Sequence, residues 1–201
     1  MARERQFSEA EVLERAADVF AAHGYQGTSL AMLLEATGLG KQSLYNTFGD
    51  KQALYLQSVE CAVARYAALA AAMQAAPTGR AAVGVYFESV TGHCAGDDPA
   101  RQSCILTAGL LEGVDDERIA HRLRDKWIAM HEVLRAAVER GQKDGSIRTQ
   151  APSAELADLL LAVVGGMRVN SRAAMDRGRL QRTADLALSL LDRPGPQPVP
   201  P

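Results

Sequence analysis

Apolar residues recur along this chain with the spacing of an α-helix, and the alternation typical of a β-strand is nearly absent. Leu13, Ala16, Ala17 and Phe20 form one such stripe, and Gly24 after it is a residue typical of a helix end. Glycines, prolines and capping residues separate the remaining stripes from one another. The pattern therefore predicts an all-α chain of about nine helices.

The predicted helices follow one another with short connections. We expect them over about 8–23, 28–37, 40–47, 50–76, 79–94, 100–111, 115–144, 153–174 and 180–191. Ser8 with Glu11 fits a capping box, and we expect Thr28 and Asp50 to be N-cap residues. This arrangement gives a small three-helix unit over 1–49 and a larger helical body over 50–193. The five prolines of 194–201 predict a disordered tail.

Composition excludes several classes of protein. With 201 residues, 47% of them hydrophobic, the chain can bury a sizeable core, so we do not expect low-complexity disorder. The longest apolar run covers nine residues, 159–167, whereas a membrane-spanning helix needs about 20. The charged N-terminus is unlike a signal peptide, and the three cysteines lack disulfide or zinc spacing. We therefore expect a cytoplasmic protein with no membrane partner.

Residues 28–48 contain two short helical segments that meet at a tight glycine-containing turn, the pattern of a helix-turn-helix. Leu30, Leu33 and Leu34 form the apolar stripe of the first segment. In the second segment, Leu44 and Phe48 lie one helical turn apart, and we expect both to be buried. If both are buried, the polar side chains on the other side of the segment face outward. They are Lys41, Gln42, Tyr45 and Asn46.

This outward face has the chemistry of DNA recognition. The Gln42 amide can form two hydrogen bonds to adenine, and Lys41 can reach guanine or a phosphate. Hydroxyl groups in the same segment suit phosphate oxygens. They belong to Ser43, Tyr45 and Thr47. The alternative is a generic helical hairpin whose polar residues are merely solvated.

Two flanking positions offer further phosphate contacts. Thr28, expected at a helix N-terminus, presents a hydroxyl beside free backbone N–H groups. Lys51 lies in the first turn of the next helix, where a cation is unfavourable unless an external anion is bound.

The distribution of charge is compatible with these contacts. The chain has a formal net charge of −2, and residues 1–55 carry five Lys or Arg against seven acids. No Asp or Glu, however, lies between Ala36 and Gly49. An acid-free face can lie against DNA even in an acidic domain.

The same residues resemble the N-terminal domain of the TetR family of bacterial transcriptional repressors. Residues 44–48, LYNTF, match the family's LYxxF motif, and residues 51–54, KQAL, match its K-x-x-L motif. The stretch AAHGY at 21–25, before Thr28 and Ser29, is a further similarity. The resemblance covers residues 8–57, and one departure is Gly40, where the family often has a Ser or Thr cap.

The resemblance implies a homodimer whose third helix reads a palindromic DNA operator. It places DNA contacts at Thr28, Lys41, Gln42, Tyr45 and Lys51. It also implies that a small apolar molecule, bound in the C-terminal body, releases the repressor from DNA. Residues 1–49 are then the DNA-binding domain, and residues 50–193 bind the ligand and form the dimer.

Two apolar helices of the body are expected at the dimer interface. The helix over 153–174 is apolar on nearly all sides, which predicts burial on more than one face. Gly165 and Gly166 cost about 1 kcal/mol each within a helix, and close contact with another helix would offset that cost. The expected interface residues are Leu156, Leu160, Val163, Gly166, Met167, Leu186 and Leu190. The alternative is that both helices pack inside a monomer.

Polar and aromatic residues in the apolar body are candidates for a ligand pocket, and they are Tyr86, Cys104, Trp127 and His131. The stretch QSCIL around Cys104 is similar to a GCL stretch that opens the sixth helix in some family members. A few of those members sense electrophiles through a cysteine. A cysteine near a helix N-terminus can carry a reactive thiolate. The alternative is a small buried side chain with no sensing role.

Two other functions compete with that of a DNA-binding regulator. An all-helical module could use its pocket or dimer face alone, and salt-dependent binding to duplex DNA would separate the two. A small all-α enzyme is the third possibility, but the sequence contains no recognisable catalytic, phosphate-loop, dinucleotide-binding or zinc motif. We therefore expect no catalytic residue, no metal and no cofactor. The expected partners are double-stranded operator DNA, an unidentified small-molecule effector and a second copy of the chain.

Overall fold

The computed structural model describes residues 8–94, 104–112, 116–173 and 175–194. Every regular element in these ranges is a helix, which confirms the all-α prediction. The helices are α1 (Glu9–Gly27), α2 (Leu30–Thr37), α3 (Lys41–Phe48), α4 (Lys51–Ala75), α5 (Gly79–Cys94), α6 (Ile105–Glu112), α7 (Glu117–Lys143), α8 (Ser153–Arg172) and α9 (Arg177–Leu190). No helix within the described ranges is long and apolar enough to cross a membrane.

Capping explains where the helix starts differ from the predicted ones. Ser8 precedes α1, but its side chain makes no capping hydrogen bond, so the predicted capping box is wrong. Ser29, and not Thr28, is the N-cap of α2, and its hydroxyl accepts the Met32 N–H at 3.3 Å. Helix α9 begins earlier than expected because the Asp176 carboxylate caps it.

Some predicted boundaries lie outside the described residues. They are the start of the sixth helix at Ala100 with the loop before it, the predicted end of the eighth helix at Ala174, and the tail beyond residue 194.

The described helices form two compact units. Unit 1 takes residues 8–66, 104–112 and 116–126, and unit 2 takes 67–94, 127–173 and 175–194. The chain passes between the units within α4 and within α7. This grouping follows packing, whereas the predicted domains at 1–49 and 50–193 follow the sequence motif, so that functional division stays a prediction.

Unit 1 has a core rich in aromatic side chains. Phe20 of α1 meets Tyr55 of α4 edge to face, with 4.9 Å between ring centroids. Leu33, Leu44 and Phe48, from α2 and α3, are buried in the same cluster. The two short helices therefore owe their positions to contacts with α1 and α4, since a helix of eight residues is marginal alone.

Unit 2 has a separate core formed by α5, α7, α8 and α9. Tyr86 and Phe87 of α5, Leu134 of α7, Met167 of α8 and Leu180 of α9 are all buried in one cluster. The backbones of α5 and α7 meet at glycines, because a Cβ on Gly79 would overlap the Gly141 nitrogen and the Ala137 carbonyl oxygen. This contact lets the two helices approach more closely than side chains would allow.

Gly79→Ala should lower the free energy of unfolding by about 1–3 kcal/mol, the usual cost of overpacking. Gly84→Ala, on the same helix, is the matched control. A Cβ at residue 84 would meet open space. That control should raise the free energy of unfolding by about 0.5–1 kcal/mol, since alanine favours a helix over glycine. Urea unfolding of both variants measures the difference, and equal effects would refute the backbone contact.

Candidate nucleic-acid interface

The turn between α2 and α3 is fixed by local hydrogen bonds. Gly38 adopts a left-handed conformation with φ of 71°, and its N–H donates to the Leu34 carbonyl at 2.9 Å. The Thr37 hydroxyl donates to the Leu33 carbonyl at 2.6 Å. These contacts end α2 and let α3 begin at Lys41 after only a short connection, as the sequence predicts.

The buried side of α3 sets the rotation of the helix about its axis. Leu44 is fully buried and Phe48 is 3% exposed, which confirms the predicted apolar pair. The Gln57 side-chain amide of α4 donates to the Phe48 carbonyl at 2.9 Å. This bond satisfies a carbonyl at the C-terminus of α3, which has no partner of its own in the helix. No sequence pattern indicates this role of Gln57.

The opposite side of α3 carries the predicted polar set. Its members are Lys41, Gln42, Ser43 and Asn46, which are exposed, and Tyr45 and Thr47, which are half-buried. The structure shows none of these six side chains in a hydrogen bond or ion pair with another described residue. They therefore keep their donors and acceptors available to an external ligand.

The N-terminus of α3 is also open. Gly40 is the N-cap, and no side chain caps the first N–H groups of the helix. An uncapped N-terminus without nearby acids attracts an anion such as a phosphate. The absence of the Ser or Thr cap is thus compatible with a phosphate contact at this point.

The two flanking residues are engaged within unit 1. Thr28 is 1% exposed, and its hydroxyl donates to the Gly24 carbonyl at 2.6 Å. It therefore does not present its hydroxyl to a ligand, contrary to the prediction. The Lys51 ammonium lies 4.7 Å from the centroid of the Tyr25 ring. Partial burial lowers the pKa of Lys51, and the negative charge of Glu112 opposes that shift.

The predicted pocket residues are divided between the two units. Cys104 belongs to unit 1, where its sulfur lies 2.8 Å from the Tyr66 hydroxyl. Tyr86 is buried in the core of unit 2, and Trp127 packs against that core. His131, also in unit 2, lies with its Nε2 3.2 Å from an Asp158 carboxylate oxygen. Their common role in a ligand pocket stays a prediction.

A cavity of about 380 Å³ in unit 2 has a different lining. Its walls are formed by Met73, Gln74, Glu132, Val133, Ala136, Ala137 and Arg140. None of the predicted pocket residues contributes to it. Within the described ranges, no group of three or more His, Cys, Asp or Glu side chains could hold a metal ion.

The predicted dimer residues fall into two groups. Leu156, Leu160 and Met167 are buried in the core of unit 2, so assigning them to an outer surface was wrong. An all-round apolar helix conceals which of its faces packs inside its own chain. The other predicted dimer residues, Val163, Gly166, Leu186 and Leu190, remain at least partly exposed. Two further apolar side chains of α8, Leu159 and Val169, are also exposed.

Comparisons with known proteins agree with this arrangement. Residues 12–57 match the family model described as bacterial regulatory proteins, tetR family. The chain is 31% identical to the uncharacterized HTH-type transcriptional regulator YezE of Bacillus subtilis, covering 96% of this chain and 100% of that protein. It is also 31% identical to the HTH-type transcriptional repressor AcnR of Corynebacterium glutamicum, covering 79% of each.

A solved structure shows the same fold. The chain matches a cysteine variant of the TetR family transcriptional regulator CifR with a TM-score of 0.80 and 26% identity. The match covers 94% of this chain and 99% of that one. CifR was solved in complex with a 26-bp double-stranded operator DNA.

The turn before α3 gives a test of its geometry. Gly38→Ala should lower the free energy of unfolding by about 1–2 kcal/mol, because an L-residue is strained in the left-handed conformation. Gly40→Ser is the control in the same turn, since Gly40 has φ of −73° and open space around its Cβ position. Serine there supplies a cap oxygen and should be neutral or slightly stabilising. Thermal or urea unfolding measures the stability of both variants. A Gly38→Ala variant as stable as the wild type would contradict the left-handed conformation at Gly38.

Proposed function

The chain belongs to the TetR family of bacterial transcriptional regulators, and on this premise we propose that it is a homodimeric repressor of transcription. It binds a palindromic DNA operator through α3, and a small apolar molecule releases it. The observation that carries the proposal is the outward face of α3, where six polar side chains form no hydrogen bond or ion pair with another described residue. The sequence from Ala36 to Gly49 contains no acid that would repel phosphate.

In this mechanism α3 enters the major groove, where some of its polar side chains contact bases and others contact the phosphate backbone. Gln42 reads adenine through its amide, and Lys41 reads guanine or binds a phosphate. The hydroxyls of Ser43, Tyr45 and Thr47 hold the helix on the backbone, which fixes its register without specifying sequence. In a two-fold dimer the second α3 reads the same bases on the opposite strand, about 34–36 Å away.

The experiment that tests the proposal is selection of bound sequences from a pool of random duplexes. The wild type should enrich an inverted repeat, and its affinity should fall steeply as salt rises because phosphate contacts release counterions. An enriched sequence without two-fold symmetry would refute the palindromic operator. Absence of duplex binding would favour a helical module that uses its body alone.

Recognition of adenine is assigned to Gln42 alone, so a substitution there can test base recognition separately from contacts with the DNA backbone. Gln42→Ala should weaken binding to the selected operator by about 1–3 kcal/mol and relax the preference at one position of each half-site. Gln74→Ala removes an amide that is also exposed, from α4 in unit 2, and should change neither affinity nor preference. Competition binding against single-base operator variants measures both. Identical preference profiles for Gln42→Ala and wild type would remove Gln42 from base recognition.

The dimer is proposed to form through the exposed apolar line of α8 and α9. Leu159 is 44% exposed, Val169 55% and Leu186 61%, although all three are large apolar side chains. A Cβ on Gly166, in the middle of the line, would meet no atom within 4 Å. Neither glycine of α8 therefore makes a close contact with another described helix of its own chain, which leaves both accessible to a second copy.

Leu186→Glu should shift the dimer towards monomer, because it buries an unpaired charge at the apolar contact. Ile128→Glu is the matched control, since Ile128 is 59% exposed on α7 and outside the proposed contact. Sedimentation velocity over a concentration series measures the change in dissociation constant. Dissociation in both variants, or in neither, would place the interface elsewhere.

Release by an effector is the part of the proposal that family membership alone supports. A ligand releases DNA only if it binds more tightly to the conformation with low operator affinity. Tyr86, Trp127 and His131 remain the proposed polar and aromatic contacts in unit 2. Cys104 is only 8% exposed beside the Tyr66 hydroxyl, which supports the simpler role of a buried packing residue over that of a sensor.

A further inference from the structure

Helix α1 breaks at Gly24 and leaves backbone donors without partners in the helix. Gly24 has φ of 73°, which interrupts the helical path before a final turn that ends at Gly27. The first N–H groups of a new turn have no acceptor of their own. Here the Tyr25 and Gln26 N–H groups donate to the two carboxylate oxygens of Glu112, at 2.5 and 2.6 Å.

The geometry around Gly24 is adapted to this carboxylate. A Cβ on Gly24 would lie 2.8 Å from Glu112 Oε2, so any other residue at this position would displace the carboxylate. The charge of Glu112 also acts on Lys51 at the start of α4, whose ammonium covers the Tyr25 ring. One side chain of α6 thus interacts with the end of α1 and lies near the start of α4.

The position of Glu112 is unfavourable for α6 itself. It is the last residue of that helix, where the dipole disfavours a negative charge, and the last turn of α6 contains no basic residue. Two charge-assisted hydrogen bonds to α1 offset this cost. When a side chain is unfavourable for its own helix but forms hydrogen bonds with a distant helix, we expect its role to be in linking the two helices.

The segment held by Glu112 leads along the chain to α3, the helix with the outward polar face. After Gln26, the Thr28 hydroxyl donates back to the Gly24 carbonyl, and Ser29 caps α2. Helix α2 then leads through the Gly38 turn to α3. Holding the Tyr25 and Gln26 amides therefore holds the entry of the helix-turn-helix.

We propose that Glu112 is a positioning residue for operator binding, which fixes the helix-turn-helix on α6 through the Tyr25 and Gln26 amides. This inference rests on the proposed DNA-binding function. Glu112 need not touch DNA in this role. It raises the fraction of molecules whose α3 is already oriented for binding, and the observed affinity scales with that fraction.

The sign of the effect separates this role from simple electrostatics. Neutralising an acid near DNA normally strengthens binding, because it removes repulsion from phosphates. Glu112→Gln should instead weaken operator binding by about tenfold, since one of the two oxygens that accept these N–H groups becomes an NH2 donor. Glu112→Ala, which accepts neither, should weaken it further. Glu117→Gln, at the exposed start of α7, makes the same charge change in unit 1 and should leave binding unchanged or slightly stronger.

Two measurements are made on the full-length chain. Fluorescence anisotropy gives the affinity of each variant for the selected operator, and amide hydrogen exchange by NMR reports the free protein. At least one of the Tyr25 and Gln26 amides should exchange about tenfold faster in Glu112→Gln, with the core amides of α4 unchanged.

Each failure has its own signature. Absence of wild-type binding to any duplex would overturn the proposed function, and the role of Glu112 in operator binding with it. Wild-type binding together with equal affinity for Glu112→Gln would overturn the positioning role alone. Weaker binding without faster exchange at Tyr25 or Gln26 would also overturn it, because the effect would then follow another route.

Discussion

Burial of Leu44 and Phe48 is the constraint on which the outward face of α3 depends. The two side chains lie one turn apart, so their burial leaves α3 a single rotation about its axis, with Lys41 and Gln42 outside. The cluster that receives them contains Phe20, whose contacts stabilise the rest of unit 1. With eight residues, α3 is too short to be stable alone, so its helical structure and its orientation have the same cause.

Three acids of unit 1, all outside the acid-free stretch of residues 36–49, are engaged by backbone N–H groups. Asp50 accepts the Ala53 N–H at 2.8 Å, and Asp116 accepts the Arg118 N–H at 3.0 Å. Glu112 accepts two further N–H groups at the end of α1. Three carboxylates are thus bound to backbone donors at the starts of helical turns, where negative charge is favoured. The N-terminus of α3 has no such carboxylate, because its cap is Gly40, and it therefore stays open to an external anion.

Local patterns predicted most of the fold, and distant contacts account for what they missed. Periodicity gives the helices, and the spacing of Leu44 and Phe48 gives the buried face of α3. Thr28 and Ser29 are both suitable N-cap residues, and only the backbone angles show that Ser29 is the cap. A sequence pattern does not supply those angles. Glu112 lies 87 residues from its partner Tyr25, and a carboxylate at a helix end looks like a solvated side chain when the sequence is taken alone.

Helix α8 shows why an apolar sequence does not by itself define an interface. Leu156 and Leu160 pack into their own core, while Leu159, on an adjoining face of the helix, keeps 44% of its surface exposed. If a second copy covers that side, the contact is two-fold and self-complementary, because the same patch faces itself. The two copies of α3 must then obey the same two-fold axis, whatever the arrangement within each chain. On the proposed dimer, an inverted-repeat operator would thus follow from the symmetry of α8 and α9, whereas the bases within each half-site would depend on α3.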